Sequence, residues 1–183
     1  MDFNLLITTF RHREFDALDE LNVLLSRFGV EAPMIEIQKV SGILLAFANL
    51  NTFDLMVKFK KLLAEEPWQF RYILRVIPIE KSLSTDLENI EIEVEKLTMR
   101  KINSNESFRI SVEKRHTSMR SKEIISSIAD KLSRFKVSLE NPDWIILIEI
   151  IGNKTGISVL REIDIFNSIM EKRKAGYLLE FSG

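Results

Sequence analysis

The sequence predicts an α+β fold made of two small domains, residues 1–81 and 82–183. Three observations carry this. Over roughly the first 80 residues, strand-length and helix-length apolar patterns succeed one another in the order β-α-β-β-α-β. Residues 82–106 are polar and acidic yet keep an apolar stripe at helical spacing, so they read as a connecting helix rather than a loose linker. From Ser107 a second alternation begins, β-α-β-β. With 183 residues and 45% hydrophobic content, the chain can bury one modest core per domain.

The first strand is Leu5, Leu6 and Ile7. A helix follows in which Phe15, Leu18, Leu21, Leu25 and Phe28 recur at helical spacing, and Gly29 ends it. Met34 to Val40 alternates apolar and polar residues, Ser41-Gly42 supplies a turn, and Ile43 to Phe47 continues as a more buried strand, so this segment reads as a hairpin. Asn51 or Thr52 can cap the next helix, which carries Leu55, Met56, Phe59, Leu62 and Leu63 and must stop before Pro67. Phe70 to Ile77 is the last strand, with Pro78 at its edge. This order is the split βαβ, or ferredoxin-like, arrangement, in which two helices cover one face of an antiparallel sheet.

In the connecting helix Leu87, Ile90, Val94 and Leu97 form the stripe, and Thr85 with Glu88 has the pattern of a capping box. The second domain opens with Ser107 to Lys114. Phe108, Ile110 and Val112 face one side of that strand, and Arg109, Ser111, Glu113 and Arg115 face the other. Ser121 can cap a helix whose core stripe is Ile124, Ile125, Ile128, Ala129 and Leu132. Lys136 to Leu139 reads as a short strand, Asn141-Pro142-Asp143 as a turn valued for its shape, and Trp144 to Ile151 as a nearly continuous apolar strand. Gly152-Asn153 then forms a hairpin connection to Thr155–Leu160. The tail from Asp164 to Lys174 is expected to be helical and to belong to the second domain, with Tyr177 to Phe181 a strand or an ordered end.

Composition narrows the chemistry. The chain has no cysteine, which removes disulfides, thiolate ligands and thiol nucleophiles together. The N-terminus has no basic region ahead of an apolar one, and the apolar runs are strand-length, so the expectation is a cytoplasmic protein without a membrane segment. Net charge is −1, but residues 107–161 hold ten Lys and Arg against six Asp and Glu, so positive charge is concentrated in the second domain. His12 and His116 are the only histidines and fall in different domains, with no spaced carboxylate set to complete a metal site. Neither Thr117-Ser118 nor Ser126-Ser127 sits in a recognised nucleophile turn. Gly42, Gly152 and Gly156 stand at turns or in strands, so no glycine-rich loop runs from a strand into a helix to cradle a nucleotide. The acidic stretch Glu88 to Glu95 reads as a solvated helix face. No catalytic centre and no cofactor are expected.

From about Thr85 to Leu160 the sequence resembles the THUMP domain, an RNA-binding module of several tRNA-modifying systems. The resemblance is carried by Ser107-Phe108-Arg109-Ile110-Ser111-Val112 with Lys114-Arg115 at its end, by the helix opening Ser121-Lys122-Glu123-Ile124, and by Val137-Ser138-Leu139-Glu140-Asn141-Pro142-Asp143 leading into the apolar strand. It implies that a ferredoxin-like domain precedes the module, which the pattern of residues 1–80 matches independently. Many family members append a methyltransferase, a thiolation domain or another catalytic unit. Since this chain ends at Gly183, the expectation is a recognition module without an engine. Thr155-Gly156-Ile157-Ser158-Val159-Leu160 is also similar to the corresponding strand of adaptor proteins that assist an acetyltransferase in making 4-acetylcytidine on tRNA. Enzyme-linked members tend to carry a Gly-Gly-Leu-Pro-like turn after this strand, whereas Arg161-Glu162-Ile163-Asp164 follows here. That departure implies the adaptor branch, and it puts in doubt any RNA contact the family assigns to the glycine turn.

The expected RNA-binding residues are Arg109, Lys114, Arg115, His116, Arg120, Ser121 and Lys122. Most cluster around the loop entering the second-domain helix, where free N–H groups and the helix dipole favour an anion. Arg109 could approach the same phosphate path or pair with an acidic neighbour such as Glu149. Lys136, Lys154 and Arg161 could extend the positive surface. In the first domain, Ile43 to Phe47 places aliphatic residues where an RNA-recognition motif stacks bases on aromatics, which argues against such stacking, while Arg11, His12 and Arg13 could touch phosphate. The leading reading is a non-catalytic tRNA-binding adaptor for a separate modifying enzyme, an acetyltransferase. The alternative is a scaffold that binds another polypeptide and no RNA.

Overall fold

The structure, a computed structural model, describes residues 2–178. It divides into two compact units. One comprises Phe3–Pro78 together with the chain from Ile163 onward, and the other comprises Ile79–Glu162 with the first residues of the chain.

The first unit contains β1 (Leu5–Thr9), α1 (Glu14–Arg27), β2 (Met34–Ile37), β3 (Ile43–Phe47), α2 (Thr52–Glu65), a 3₁₀ turn (Pro67–Gln69) and β4 (Ile73–Pro78). These form the expected β-α-β-β-α-β core, and its strands pair antiparallel throughout. Leu5, Ile7, Leu44, Ala46 and Val76 supply the sheet side of the core, against Leu21 and Leu25 of α1 and Leu55, Phe59 and Leu63 of α2. Asn51 caps α2, its side chain accepting from the N–H groups of Phe53 (3.0 Å) and Asp54 (3.3 Å). Gly42 has a φ of +81°, and a Cβ there would lie 2.9 Å from the Thr9 carbonyl oxygen, so the hairpin turn requires glycine.

Two expectations for this unit fail. Phe15 does not join the helical stripe and stands 77% exposed. The buried arc of α1 is set by Ala17, Leu21, Leu24 and Leu25, and Phe15 lies about 200° around the helix from Ala17. The tail does not belong to the second domain. After a 3₁₀ turn (Glu162–Asp164), β10 (Phe166–Asn167) pairs antiparallel with β4 and leads into α5 (Ser168–Lys174), so the sheet order is β10-β4-β1-β3-β2. The cause is aromatic packing. Phe166 is fully buried with its ring centroid 5.5 Å from Phe59 and 4.8 Å from Phe70. Lys172 donates to the Phe70 carbonyl at 2.6 Å, and the Tyr177 hydroxyl to that of Ala64 at 3.0 Å. Of the expected strand Tyr177–Phe181, the first two residues are not in a strand and the rest lie outside the described residues.

The second unit holds β5 (Lys81–Ser84), α3 (Leu87–Lys101), β6 (Ser107–Arg115), α4 (Ser121–Lys131), β7 (Lys136–Val137), β8 (Trp144–Ile151) and β9 (Lys154–Leu160) in a sheet of order β5-β9-β8-β6-β7. β6 runs parallel to both β7 and β8, and β9 antiparallel to β8 and β5. Ile90, Val94 and Leu97 of α3 and Ile124 and Ile128 of α4 pack with Phe108, Ile146, Ile148, Ile150, Ile157 and Val159 of the sheet. A buried tie joins the helices: Glu91 takes a bond from the Ser127 hydroxyl and pairs with Lys131 at 2.7 Å, and these partners hold its carboxyl below the ordinary range.

Several local expectations are corrected here. β5 is an unforeseen edge strand, placing Lys81 in this unit. Asp86 rather than Thr85 caps α3, accepting from the Asn89 N–H at 3.0 Å, because the Thr85 hydroxyl is engaged with that of Thr155 at 2.9 Å. Arg120 occupies the cap position of α4 without a side-chain cap bond, and Ser121 is the first helical residue. The expected strand Lys136–Leu139 shortens to two residues. Asp143 does more than shape its turn. Its carboxylate accepts from the Ser107 N–H (2.7 Å) and hydroxyl (2.8 Å), which depresses its pKa and ties the loop to the start of β6.

Candidate nucleic-acid interface

The loop from β6 into α4 is where the expected cationic residues converge, and alternation along β6 divides them. Lys114 shares a face with Phe108, Ile110 and Val112, the face on which α4 packs, whereas Arg115 falls on the opposite face with Arg109. Lys114 is exposed and its ammonium donates to the Met119 carbonyl at 2.8 Å, bracing the loop. Arg120 is 80% exposed at its side chain and holds Glu123 at 3.5 Å, a long contact in open water. Lys122 is exposed one residue into α4, where the absence of a side-chain cap leaves N–H groups open to an anion. Ser121 is half-buried at the same end. Thus Lys114, Arg120, Ser121 and Lys122 share one edge of the unit.

Arg115 behaves differently. Its guanidinium meets Glu149 at 2.8 Å, and the Glu149 side chain is only 2% exposed. Glu149 is the one acid within the apolar strand β8. A carboxylate in such a place has to be paired, because burying it alone costs several kcal/mol. The lone acid is visible in the sequence, but its partner is not, since the two residues meet only because β6 and β8 run side by side in parallel register. Arg109 pairs with neither Glu149 nor the loop. It reaches Glu162 at 3.5 Å and lies six residues, about 20 Å, back along β6. His116 is exposed with a φ of +53°, in the left-handed region, where the strand turns into the loop.

Of the secondary cations, Arg161 is held away from the loop. It pairs with Glu106 at 3.3 Å and lies over the Trp144 ring, 4.6 Å from its centroid. Lys136 is exposed and Lys154 half-buried, each at the start of its strand. In the other unit, Arg13 pairs with Asp16 at 2.6 Å and stacks over Tyr72, while Arg11 and His12 are exposed. Ile43 and Leu45 are 4% and 0% exposed, so they offer no platform to a base. Among the described residues, no group of three or more His, Asp or Glu side chains could hold a metal ion, and no helix is long and apolar enough to cross a membrane.

Residues 84–160, from the end of β5 to the end of β9, match the family model of the THUMP domain. The chain carries a THUMP domain. No curated protein matches. Among solved structures, the chain is similar to protein PH1313 of Pyrococcus horikoshii, with a TM-score of 0.64 and 17% identity, covering 88% of this chain and 55% of that one. It is similar also to TrmN of Thermus thermophilus (TM-score 0.61, 18% identity, 87% and 46%). A third is a 4-thiouridine synthetase in complex with RNA and ATP (0.60, 16%, 90% and 42%). At these identities the likeness is one of fold, and it extends through the ferredoxin-like unit as well as the THUMP domain. The chain spans about half the length of these structures.

Proposed function

We propose that the chain binds tRNA through its THUMP domain and serves as the recognition part of a tRNA-modifying system in the cytoplasm. A separate enzyme, a cytidine acetyltransferase making 4-acetylcytidine, would supply the chemistry. The observation that carries this reading is a cationic edge within a matched THUMP domain: Lys114, Arg120 and Lys122 beside the uncapped N-terminus of α4. Such an edge holds a phosphate path by charge and by N–H groups without reading bases, which suits recognition of RNA by shape. A structural neighbour that is a 4-thiouridine synthetase bound to RNA supports the same class of ligand.

The adaptor role rests on residues of this chain. The run Thr155–Leu160 resembles the acetylation adaptors, and β9 leads into the 3₁₀ turn Glu162–Asp164 rather than a glycine turn. His12 and His116 lie in different units of the chain.

A gel-shift series with unmodified tRNA at several salt concentrations tests the binding. The native chain should lose affinity steeply as salt rises, because phosphate contacts release counterions. Arg120→Glu with Lys122→Glu should weaken binding and flatten the slope of log affinity against log salt by roughly two, one per lost phosphate contact. Unchanged affinity and slope would place the RNA elsewhere. No tRNA binding by the native chain would favour the scaffold alternative. The adaptor role is tested by adding the chain to a cytidine acetyltransferase with tRNA and acetyl-CoA: 4-acetylcytidine should rise with the chain present, and the chain alone should transfer nothing.

A further inference from the structure

The outer side of α1 and the 3₁₀ turn Pro67–Gln69 enclose a groove of about 350 Å³ in the ferredoxin-like unit. Its lining includes Asp16, Asp19, Val23, Trp68, Arg71 and Tyr72. Trp68 is 59% exposed and Val23 62%, so the groove offers an indole and an isopropyl group to water. The turn bearing Trp68 is firmly held. Glu20 accepts from three consecutive backbone N–H groups, those of Arg71, Tyr72 and Ile73, at 2.9, 3.0 and 3.0 Å. Glu66, just before the turn, takes both Arg27 and the Gln69 amide, and Arg71 donates to the Trp68 carbonyl at 3.2 Å. An apolar surface presented on fixed backbone loses little freedom on binding, and an exposed Trp so held is the side chain most enriched at interface hot spots.

Charge identifies the occupant. The groove is lined by Asp16, Asp19, Glu20 and Arg71, and the Arg13 guanidinium lies over its Tyr72 ring. Asp16 is paired with Arg13 and Glu20 is taken up by backbone N–H groups, whereas Asp19 is exposed with no ion pair among the described residues. Asp19 is thus the carboxylate of the groove left to solvent, and it suits a cation rather than a phosphate chain.

We propose that the groove docks a basic segment of a partner polypeptide, with an Arg side chain laid over the Trp68 indole, its guanidinium reaching Asp19, and a neighbouring aliphatic residue against Val23. Cation–π stacking and a carboxylate together recognise Arg better than either does alone. The proposal deepens the adaptor reading, which needs a surface for the enzyme apart from the one that holds RNA.

The probe is the peptide acetyl-Leu-Arg-Leu-amide, with its citrulline counterpart as the neutral control, titrated into the ¹⁵N-labelled full chain. The chain has two tryptophans, so the indole N–H signal of Trp68 is assigned by its loss in Trp68→Phe. The Arg peptide should shift that signal saturably and leave Trp144 in place. Asp19→Asn should weaken the response by roughly two- to fivefold, the size of one exposed charge contact, and Trp68→Ala should abolish binding. Both variants should keep native tRNA affinity. An unmoved Trp68 signal, or an equal response to the citrulline peptide, overturns the inference. So does a groove that answers to tRNA instead, with Trp68→Ala weakening the gel shift. Peptide binding in a chain that fails to bind tRNA would uphold the groove and remove the RNA reading, so the two can fail separately.

Discussion

Replacing Arg115 by alanine should destabilise the THUMP domain, and the size of the effect follows from the burial of its partner. Glu149 is 2% exposed and meets the Arg115 guanidinium at 2.8 Å, so the substitution leaves a carboxylate in a nearly dry site. Breaking a buried ion pair from one side costs about 3–5 kcal/mol. Arg115 keeps 29% exposure at its side chain and Glu149 has a further interaction, so water and that contact recover part of the loss. The expectation is therefore about 2–3 kcal/mol, or roughly 5–10 °C in Tm for a chain of this size. Urea denaturation of the single variants and of Arg115→Ala/Glu149→Leu measures it. The double variant should regain more than half of the lost stability, since the stranded charge is gone. Arg120→Ala, whose side chain is 80% exposed and meets Glu123 at 3.5 Å, should change stability by no more than about 0.5 kcal/mol. The reasoning is refuted if Arg115→Ala lies within about 0.5 kcal/mol of the native chain, or if the double variant is the least stable of the set. The outcome also bears on RNA binding. The sequence groups Arg115 with Arg120 and Lys122 as expected RNA-binding residues, whereas the ion pair makes Arg115 a poor probe of phosphate contact and Arg120 with Lys122 a good one.

Phe166→Ala should cost about 3–5 kcal/mol in the ferredoxin-like unit, read by chemical denaturation, because it empties a site packed against Phe59 and Phe70; a change below about 1 kcal/mol would show that β10 is not part of that core. Gly42→Ala should destabilise by about 1–3 kcal/mol, since it adds a Cβ at positive φ against the Thr9 carbonyl, and a neutral result would contradict the turn geometry. Glu14 accepts from the Gly42 N–H (2.6 Å) and the Ser41 hydroxyl (2.9 Å), bonds that favour its charged form and hold its pKa at about 2. A carboxyl depressed below its unfolded value of about 4.3 contributes stability in full above that value and loses it as pH falls toward 2. Urea midpoints measured from pH 5 down to about pH 2 should therefore fall more steeply for the native chain than for Glu14→Gln, and parallel curves would rule the contribution out.

Much of the site is legible in the amino-acid sequence. The strand Ser107–Arg115 and the helix opening at Ser121 follow from alternation and helical spacing, and they bracket the loop that gathers Lys114, Arg120 and Lys122. The cap positions of α3 and α4 fall one residue away from Thr85 and Ser121, and for Thr85 the reason is that a hydroxyl can cap only where no better partner claims it. Thr155 claims Thr85 from 70 positions away. Phe15 departs from the expected stripe because a helical run of apolar residues admits several phases, and only packing selects one. β5 leaves no mark in the sequence because Lys-Ser-Leu-Ser has little strand character of its own and is a strand only by pairing with β9.

The sequence by itself determined the α+β class, the β-α-β-β-α-β order of the first unit, the connecting helix, the hairpin at Gly152-Asn153 and the cationic loop. These depend on periodicity and turn chemistry, which act over a few residues and leave their mark in local composition. Only the tertiary structure decided that the tail returns to β4 through Phe166, that Arg115 is bound to Glu149 while Arg120 and Lys122 stand in water, and that Trp68 and Asp19 share one groove. Each of those depends on side chains meeting across a sheet or between elements far apart in the chain, as for Arg115 with Glu149 and Phe166 with Val76. An Arg in a strand has the same letter whether its partner is a buried carboxylate or water. Its role is assigned when the chain closes and one of the two is excluded.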